Sequence, residues 1–223
     1  MPTVTPDFEQ AAHRYFVDGV EHASVTTILK NLGLYPPYSD DPFYRDRGTA
    51  VHTATEFSDL NVLDKTLTHP DILPYVECWE MFVADSGGLT FEREHIEVRV
   101  ADPSTGTAGT IDRIREWQGE WWIWDIKSGD PPPVTALQLA GYADLSGHNG
   151  ARRASVWLRP GMNPRYRIRE YTDRNDLAVW RACRAIHASP AAMRLWAAMA
   201  EDVRYDDLIN CQLLFGFKKG MKE

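Results

Sequence analysis

The chain has 223 residues, 43% hydrophobic and 25% charged, with a net charge of −8. This globular composition excludes a disordered chain, and no apolar run approaches the ~20 residues of a membrane helix. The acidic balance argues against tight non-specific nucleic-acid binding, and three cysteines, Cys78, Cys183 and Cys211, cannot build a four-cysteine zinc or iron–sulfur centre.

The opening MPTVTPDFEQ has neither the basic nor the apolar segment of a signal peptide. The scattered cysteines read as free thiols in a reducing compartment. Further on, Arg14 to Val17 and Val20 to Ala23 flank Asp18-Gly19, a two-residue turn that reverses strands. Ser24 is placed to cap a short helix through Lys30, ending near Gly33. After the proline-broken loop YPPYSDDPF, the spacing predicts a helix over 47–60. Ala50, Ala54 and Phe57 form its expected apolar stripe, and His52, Glu56 and Asp59 share another face. A second helix is expected over 71–85, anchored by Tyr75, Trp79 and Phe82 and ended by Gly87-Gly88.

The period then changes to two. FEREHIEVRV, TAGTIDRIREW and EWWIWDIK read as three strands of an antiparallel meander, the last two joined at Gln118-Gly119. A proline-led helix over PPPVTALQLAGYADLSG follows, then strands in ASVWLRP and RYRIREY around Pro160-Gly161. Helices over 173–188 and 190–200 come last, before the basic tail FGFKKGMKE, expected to be loosely held. With no repeat, low-complexity tract or linker, the simplest architecture is one α+β domain, a mixed sheet flanked by helices.

The charges in the meander carry the chemistry. If Gln118-Gly119 is the turn, residues whose numbers sum to about 237 are paired, which sets Asp112 against Asp125 at a Cβ separation of about 5 Å. Two carboxylates that close repel unless a cation lies between them, and a divalent ion with oxygen ligands resolves the repulsion. Lys127 shares a strand face with Asp125 and can reach a phosphate oxygen that gains charge during attack. A structural salt bridge is the competing reading of an isolated Asp-Xaa-Lys.

Taken together, these segments resemble the PD-(D/E)XK nucleases, specifically the RecB-like branch with its phage and mitochondrial exonuclease relatives. RGTAVH is similar to the helical motif whose histidine is a metal ligand, here His52. GTID supplies Asp112, DIKSG supplies Asp125 and Lys127, and QLAGY supplies Gln138 and Tyr142; SVTTIL near the N-terminus is also similar. The resemblance runs from Ser24 to Tyr142. It implies a restriction-endonuclease-like α/β/α core over 47–172, with a hairpin-and-helix extension over 1–46 and C-terminal helices and tail over 173–223. It implies Mg²⁺- or Mn²⁺-dependent hydrolysis of DNA, with the metal on His52, Asp112, Asp125 and the Ile126 carbonyl. Lys127, Asp112, Asp125, Gln138 and Tyr142 are then the catalytic set. Exonuclease action at DNA ends in phage-type recombination, replication or repair is implied too. So are a single-strand annealing protein or helicase as partner and the cytoplasm of a bacterium or phage-infected host cell as location. The iron–sulfur subgroup of the branch is excluded by the cysteine count.

Glu56 and Glu97 are auxiliary candidates; strand alternation turns Glu97 away from Ile96 and Val98, toward solvent. The tryptophans at 117, 121, 122 and 124 read as core and sheet surface. Ala151 to Arg169 contains six arginines and no acid. Among them Arg152, Arg153, Arg165, Arg167 and Arg169 are the candidate DNA contacts, with Lys218, Lys219 and Lys222 of the tail as additions. The rival functions are an endonuclease of the same fold, a non-catalytic DNA-binding module on that fold, and a metal hydrolase unrelated to nucleic acid.

Overall fold

The computed structural model describes residues 3–10, 12–36 and 42–202. The tail lysines and Cys211 lie outside them. A small N-terminal strand, β1 (Asp7–Glu9), pairs with the expected hairpin, β2 (Arg14–Val17) and β3 (Val20–Ser24). The turn between them needs positive φ at Asp18 and Gly19, 50° and 76°, as a tight two-residue reversal does. Ser24 caps α1 (Val25–Asn31), its side chain accepting from the Thr27 N–H at 3.0 Å.

Next come α2 (Pro42–Asp59) and α3 (Leu73–Asp85), then the meander β4 (Ile96–Asp102), β5 (Thr107–Trp117) and β6 (Glu120–Lys127). After it come α4 (Thr135–Ser146), β7 (Arg152–Leu158), β8 (Tyr166–Glu170), α5 (Asp176–Ala188) and α6 (Pro190–Asp202). The sheet order is β1-β2-β3-β5-β6-β7-β8, with β4 on the other edge of β5. β3 runs parallel to β5 and β6 parallel to β7; the remaining pairs are antiparallel. This is the expected mixed sheet of an α+β, restriction-endonuclease-like fold.

Each sheet face has its own core. On one, α1, α4 and α5 bury Val25, Leu139, Tyr142 and Trp180 against Ile111, Ile114 and Ile123. On the other, α2 and α3 bury Val51, Val76, Trp79 and Phe82 against Trp122, Trp124 and Ile126. The alternation of β6 is therefore real: Trp122 and Trp124 face α2 and α3, while Asp125 and Lys127 lie on the α4 side.

Three local expectations give way. The segment Phe91–His95 is not strand; Arg93–His95 make a 3₁₀ turn, and Phe91 leaves the ladder to pack against Trp79 and Trp124. Phe57 is 43% exposed, and α2 buries Val51, Ala54 and Thr55 instead. The alternation of β4 also breaks. Ile96 packs with Trp124 on one face while Val98 packs on the other, because Glu97 between them has φ +47°.

Two contacts position the site. Arg113 on β5 is fully buried and donates to Asp59 of α2 at 2.7 Å, clamping that helix to the sheet. Gly141 on α4 leaves no room for a methyl, which would meet Val25 at 2.8 Å and the Trp180 ring at 3.1 Å. Asp59→Ala is therefore expected to cost about 3–5 kcal/mol in urea unfolding, the range for stranding one member of a buried ion pair; a loss below about 1 kcal/mol would show that Arg113 does not need it. Gly141→Ala should cost about 1–3 kcal/mol by overpacking the joint of α4 with α1 and α5.

Candidate active site

The site opens where two ladders part. β6 pairs with β5 from Trp117–Glu120 up to Arg113–Trp124 and then leaves it. On the same edge, β3 takes over only at Ala108. Between these ladders Gly109–Asp112 has no strand beside it there. The register sums to 237, as the turn arithmetic required, so Asp112 and Asp125 flank the opening. The Ile126 N–H, which has no β5 carbonyl to meet, donates to Asp112 Oδ2 at 2.7 Å. The Tyr142 ring covers the gap; a methyl on Gly109 would lie 2.9 Å from it, which explains the small residue in GTID.

His52 reaches the opening from α2. Its Nδ1 is 3.5 Å from Glu97 Oε1 and 3.6 Å from Asp112 Oδ2. Potential ligand atoms of His52, Glu97 and Asp112 all lie within 4.8 Å of one another, close enough to share one cation. The positive φ at Glu97 explains its presence. It turns the side chain inward, toward His52 and the Arg113 guanidinium, where regular alternation would have sent it to solvent.

On the α4 side, Lys127 Nζ donates to Asp125 Oδ1 at 3.0 Å and to Gln138 Oε1 at 3.3 Å. Gln138 Nε2 is 3.2 Å from both Asp125 Oδ1 and Tyr142 Oη. The Tyr35 hydroxyl donates to Gln138 Oε1 at 3.1 Å. Sequence reasoning passed over Tyr35 as part of a proline-broken loop, and nothing in its spacing marks it. Asp125 Oδ2 is buried and receives no well-directed hydrogen bond, although Lys127 Nζ is 3.0 Å away. This oxygen's lone pairs are ion-paired on one side and open to a further cation on the other.

The electrostatics point the same way. Burial raises the pKa of Asp112; His52 opposes the rise and Glu97 adds to it. Burial also raises that of Asp125, against the pull of Lys127 and with the push of Asp112. For His52, burial alone would lower the pKa, but Asp112, Glu97 and Asp125 override it and lift it to about 9. Lys127 follows the same logic: burial disfavours its charge, Asp125 more than restores it, and the group stays an ammonium. Burial, then Asp112, raises the Tyr142 phenol, which stays neutral. In the ion-free site the carboxylates of Glu97, Asp112 and Asp125 face two positive charges, the Lys127 ammonium and the protonated His52. A divalent cation beside a neutral imidazole would balance them, so the donor set fits a hard or borderline divalent ion.

The remaining candidates separate. Arg167 lies opposite Trp157, itself opposite Lys127, and Arg169 lies opposite Ser155, itself opposite Asp125. Both arginines are exposed and share the site's face of the sheet. Arg153 does not belong to a surface track: it is buried, paired with Asp176 at 2.9 Å, and donates to the Ala136 and Asp173 carbonyls. Arg152 pairs with Glu170 and Glu120 and lies over Trp122, five strand positions or about 16 Å from the level of Lys127. Arg165 is drawn to Glu77 on α3, 3.4 Å away. Glu56 is tied to Arg93.

A divalent ion has to displace the proton on His52. Its affinity is expected to rise about tenfold per pH unit between roughly 6.5 and 9, with one proton released. Calorimetry of Mn²⁺ binding in buffers of different ionisation enthalpy measures both. The sign reverses for the ion-free protein. A histidine pKa raised to about 9 contributes stability below about 6.5 that is lost as the pH rises through 9.

Comparison with curated proteins returned no match. The sequence profile of the PD-(D/E)XK nuclease superfamily matches residues 75–210, which include Glu97, Asp112, Asp125, Lys127 and Gln138 and leave out His52. That match covers more than half of the chain and assigns the protein: the chain belongs to the PD-(D/E)XK nuclease superfamily.

Proposed function

We propose that the protein is a divalent-metal-dependent deoxyribonuclease of the RecB-like branch that degrades DNA from its ends. One observation carries this reading: His52, Glu97 and Asp112 converge beside a buried Asp125–Lys127 pair where β5 and β6 part. His52, Asp112, Asp125 and the Ile126 carbonyl, joined by Glu97, would hold Mg²⁺ or Mn²⁺. The ion, when bound, supplies Lewis acidity to the phosphoryl oxygen and to the attacking water.

The chain's own residues do the rest. Lys127 offers its ammonium to the charge that develops on the phosphate. Gln138 holds Lys127 and Asp125 in register, and Tyr142 and Tyr35 fix the orientation of its amide. Arg167 and Arg169 extend positive charge from the site along the sheet, where a phosphate backbone would lie. We assign the whole chain to one nuclease domain with its core over 47–172, the N-terminal hairpin contributing to the sheet and the C-terminal helices to the core under α4. Recombination, replication or repair of phage type, in the cytoplasm of a bacterium or infected host and beside an annealing protein or helicase, is the setting that suits such an enzyme.

Cleavage of end-labelled single- and double-stranded linear DNA, alongside a closed circle, tests the proposal in Mg²⁺, Mn²⁺ and EDTA. Linear DNA should be digested only with metal, the circle should survive, and Lys127→Ala should lower the rate by roughly 10²–10³-fold, as removing an electrostatic stabiliser does. Cutting of the circle would replace the exonuclease with an endonuclease. DNA binding without cleavage in any metal would leave a binding module.

A further inference from the structure

The first turns of α2 carry a feature the hydrolytic site does not use. Phe43 and Tyr44 are each 52% exposed, with ring centroids 5.7 Å apart at 77°. The Arg47 guanidinium lies 5.2 Å from the Tyr44 ring centroid, 5.8 Å from that of Phe43 and 5.4 Å from that of Tyr75. One of its Nη atoms donates to the Ser128 carbonyl at 3.3 Å, directly after Lys127. The backbone is close as well: a methyl on Gly48 would come within 4.0 Å of Ser128 Oγ. Arg47 Nε is buried and has no hydrogen-bond partner among the described residues. On the far side of the same loop, Arg169 donates to the Pro131 carbonyl at 2.9 Å. The segment 128–131 therefore runs between two guanidinium groups, with aromatic rings beyond the first.

We propose that Tyr44, with Phe43 beside it and Arg47 beneath, is a stacking platform for a base of single-stranded DNA whose phosphate enters the site. This rests on the nuclease reading, since the platform serves that site. A tyrosine ring half in water contributes less to folding than a buried one, whereas an aromatic face over an arginine matches a nucleobase and its phosphate together. The occupant is a single strand because bases inside a duplex already stack on one another; only an unpaired end offers a free face. The arginines at 167 and 169 then lie along the backbone on one side of Lys127, and the platform receives a base on the other.

The test uses the full chain, Tyr44→Ala, Phe43→Ala/Tyr44→Ala and Tyr44→Trp. Fluorescence anisotropy in EDTA measures binding to labelled oligothymidylate and to a blunt duplex. Turnover of bis(p-nitrophenyl) phosphate in Mn²⁺, a diester too small to bridge from the site to the rings, reports on the chemistry alone. The alanine variants should bind the single strand roughly 5- to 100-fold more weakly, the loss expected for one stacked base. Duplex affinity and diester turnover should not change, and Tyr44→Trp should bind the single strand as well as the unaltered protein does. Unchanged single-strand affinity, or an equal loss on the duplex, overturns the platform. An unaltered protein that hydrolyses neither DNA nor the small diester would overturn the nuclease reading instead, and the anisotropy would still decide the platform.

Discussion

A single buried guanidinium holds the site in place. Arg113 sits on β5 directly after Asp112, has no solvent contact, and lies against the Trp79 and Phe91 rings. Its Nε donates to Asp59, its Nη atoms reach Thr55 and Glu97, and Nη1 also donates to the Asp112 carbonyl at 2.7 Å. Asp59 and Thr55 belong to the helix that carries His52, and Glu97 belongs to the strand on the other side. One charge thus fixes the distance between three elements that each contribute a polar group to the cluster. Burying it would be prohibitive without those partners, so helix, strand and site form together or not at all.

The second constraint is topological. Antiparallel ladders normally consume every inward backbone donor, leaving no room for chemistry between neighbouring strands. Here β6 leaves β5 while staying paired with β7 on its other edge, and the freed Ile126 N–H is taken by the Asp112 carboxylate. The gap is polar because backbone groups released by the split need partners, and carboxylates supply them. A surplus of negative charge then accumulates in a low-dielectric place. That imbalance lifts the His52 pKa to about 9 and leaves an Asp125 oxygen without a good donor. Strand divergence makes the space, and the carboxylates that line it make it a candidate metal site.

Much of this could be read from the sequence because strands and turns are local. Asp18-Gly19 and Gln118-Gly119 fixed two hairpins, and the second fixed the register that ends at Arg113 and Trp124, leaving Asp112 and Asp125 on either side of the parting strands. Period two placed Lys127 with Asp125. What failed was whatever depended on a backbone angle or a partner far along the chain. The inward turn of Glu97 needs a positive φ that no glycine announces. Tyr35 meets Gln138 only after the helices pack. The arginines looked alike in sequence, but Arg153 is consumed by Asp176 and two carbonyls while Arg167 and Arg169 reach the surface on the site's side; helix contacts decide which, and strand alternation carries no record of them.

Glu97 has a wider meaning. A non-glycine residue with left-handed φ works against its own backbone, and at a sheet position glycine would relieve that. A carboxylate here trades backbone comfort for a charge in the site, so a substitution to glycine that relieved the backbone would strip the site of that charge as it stabilised the fold.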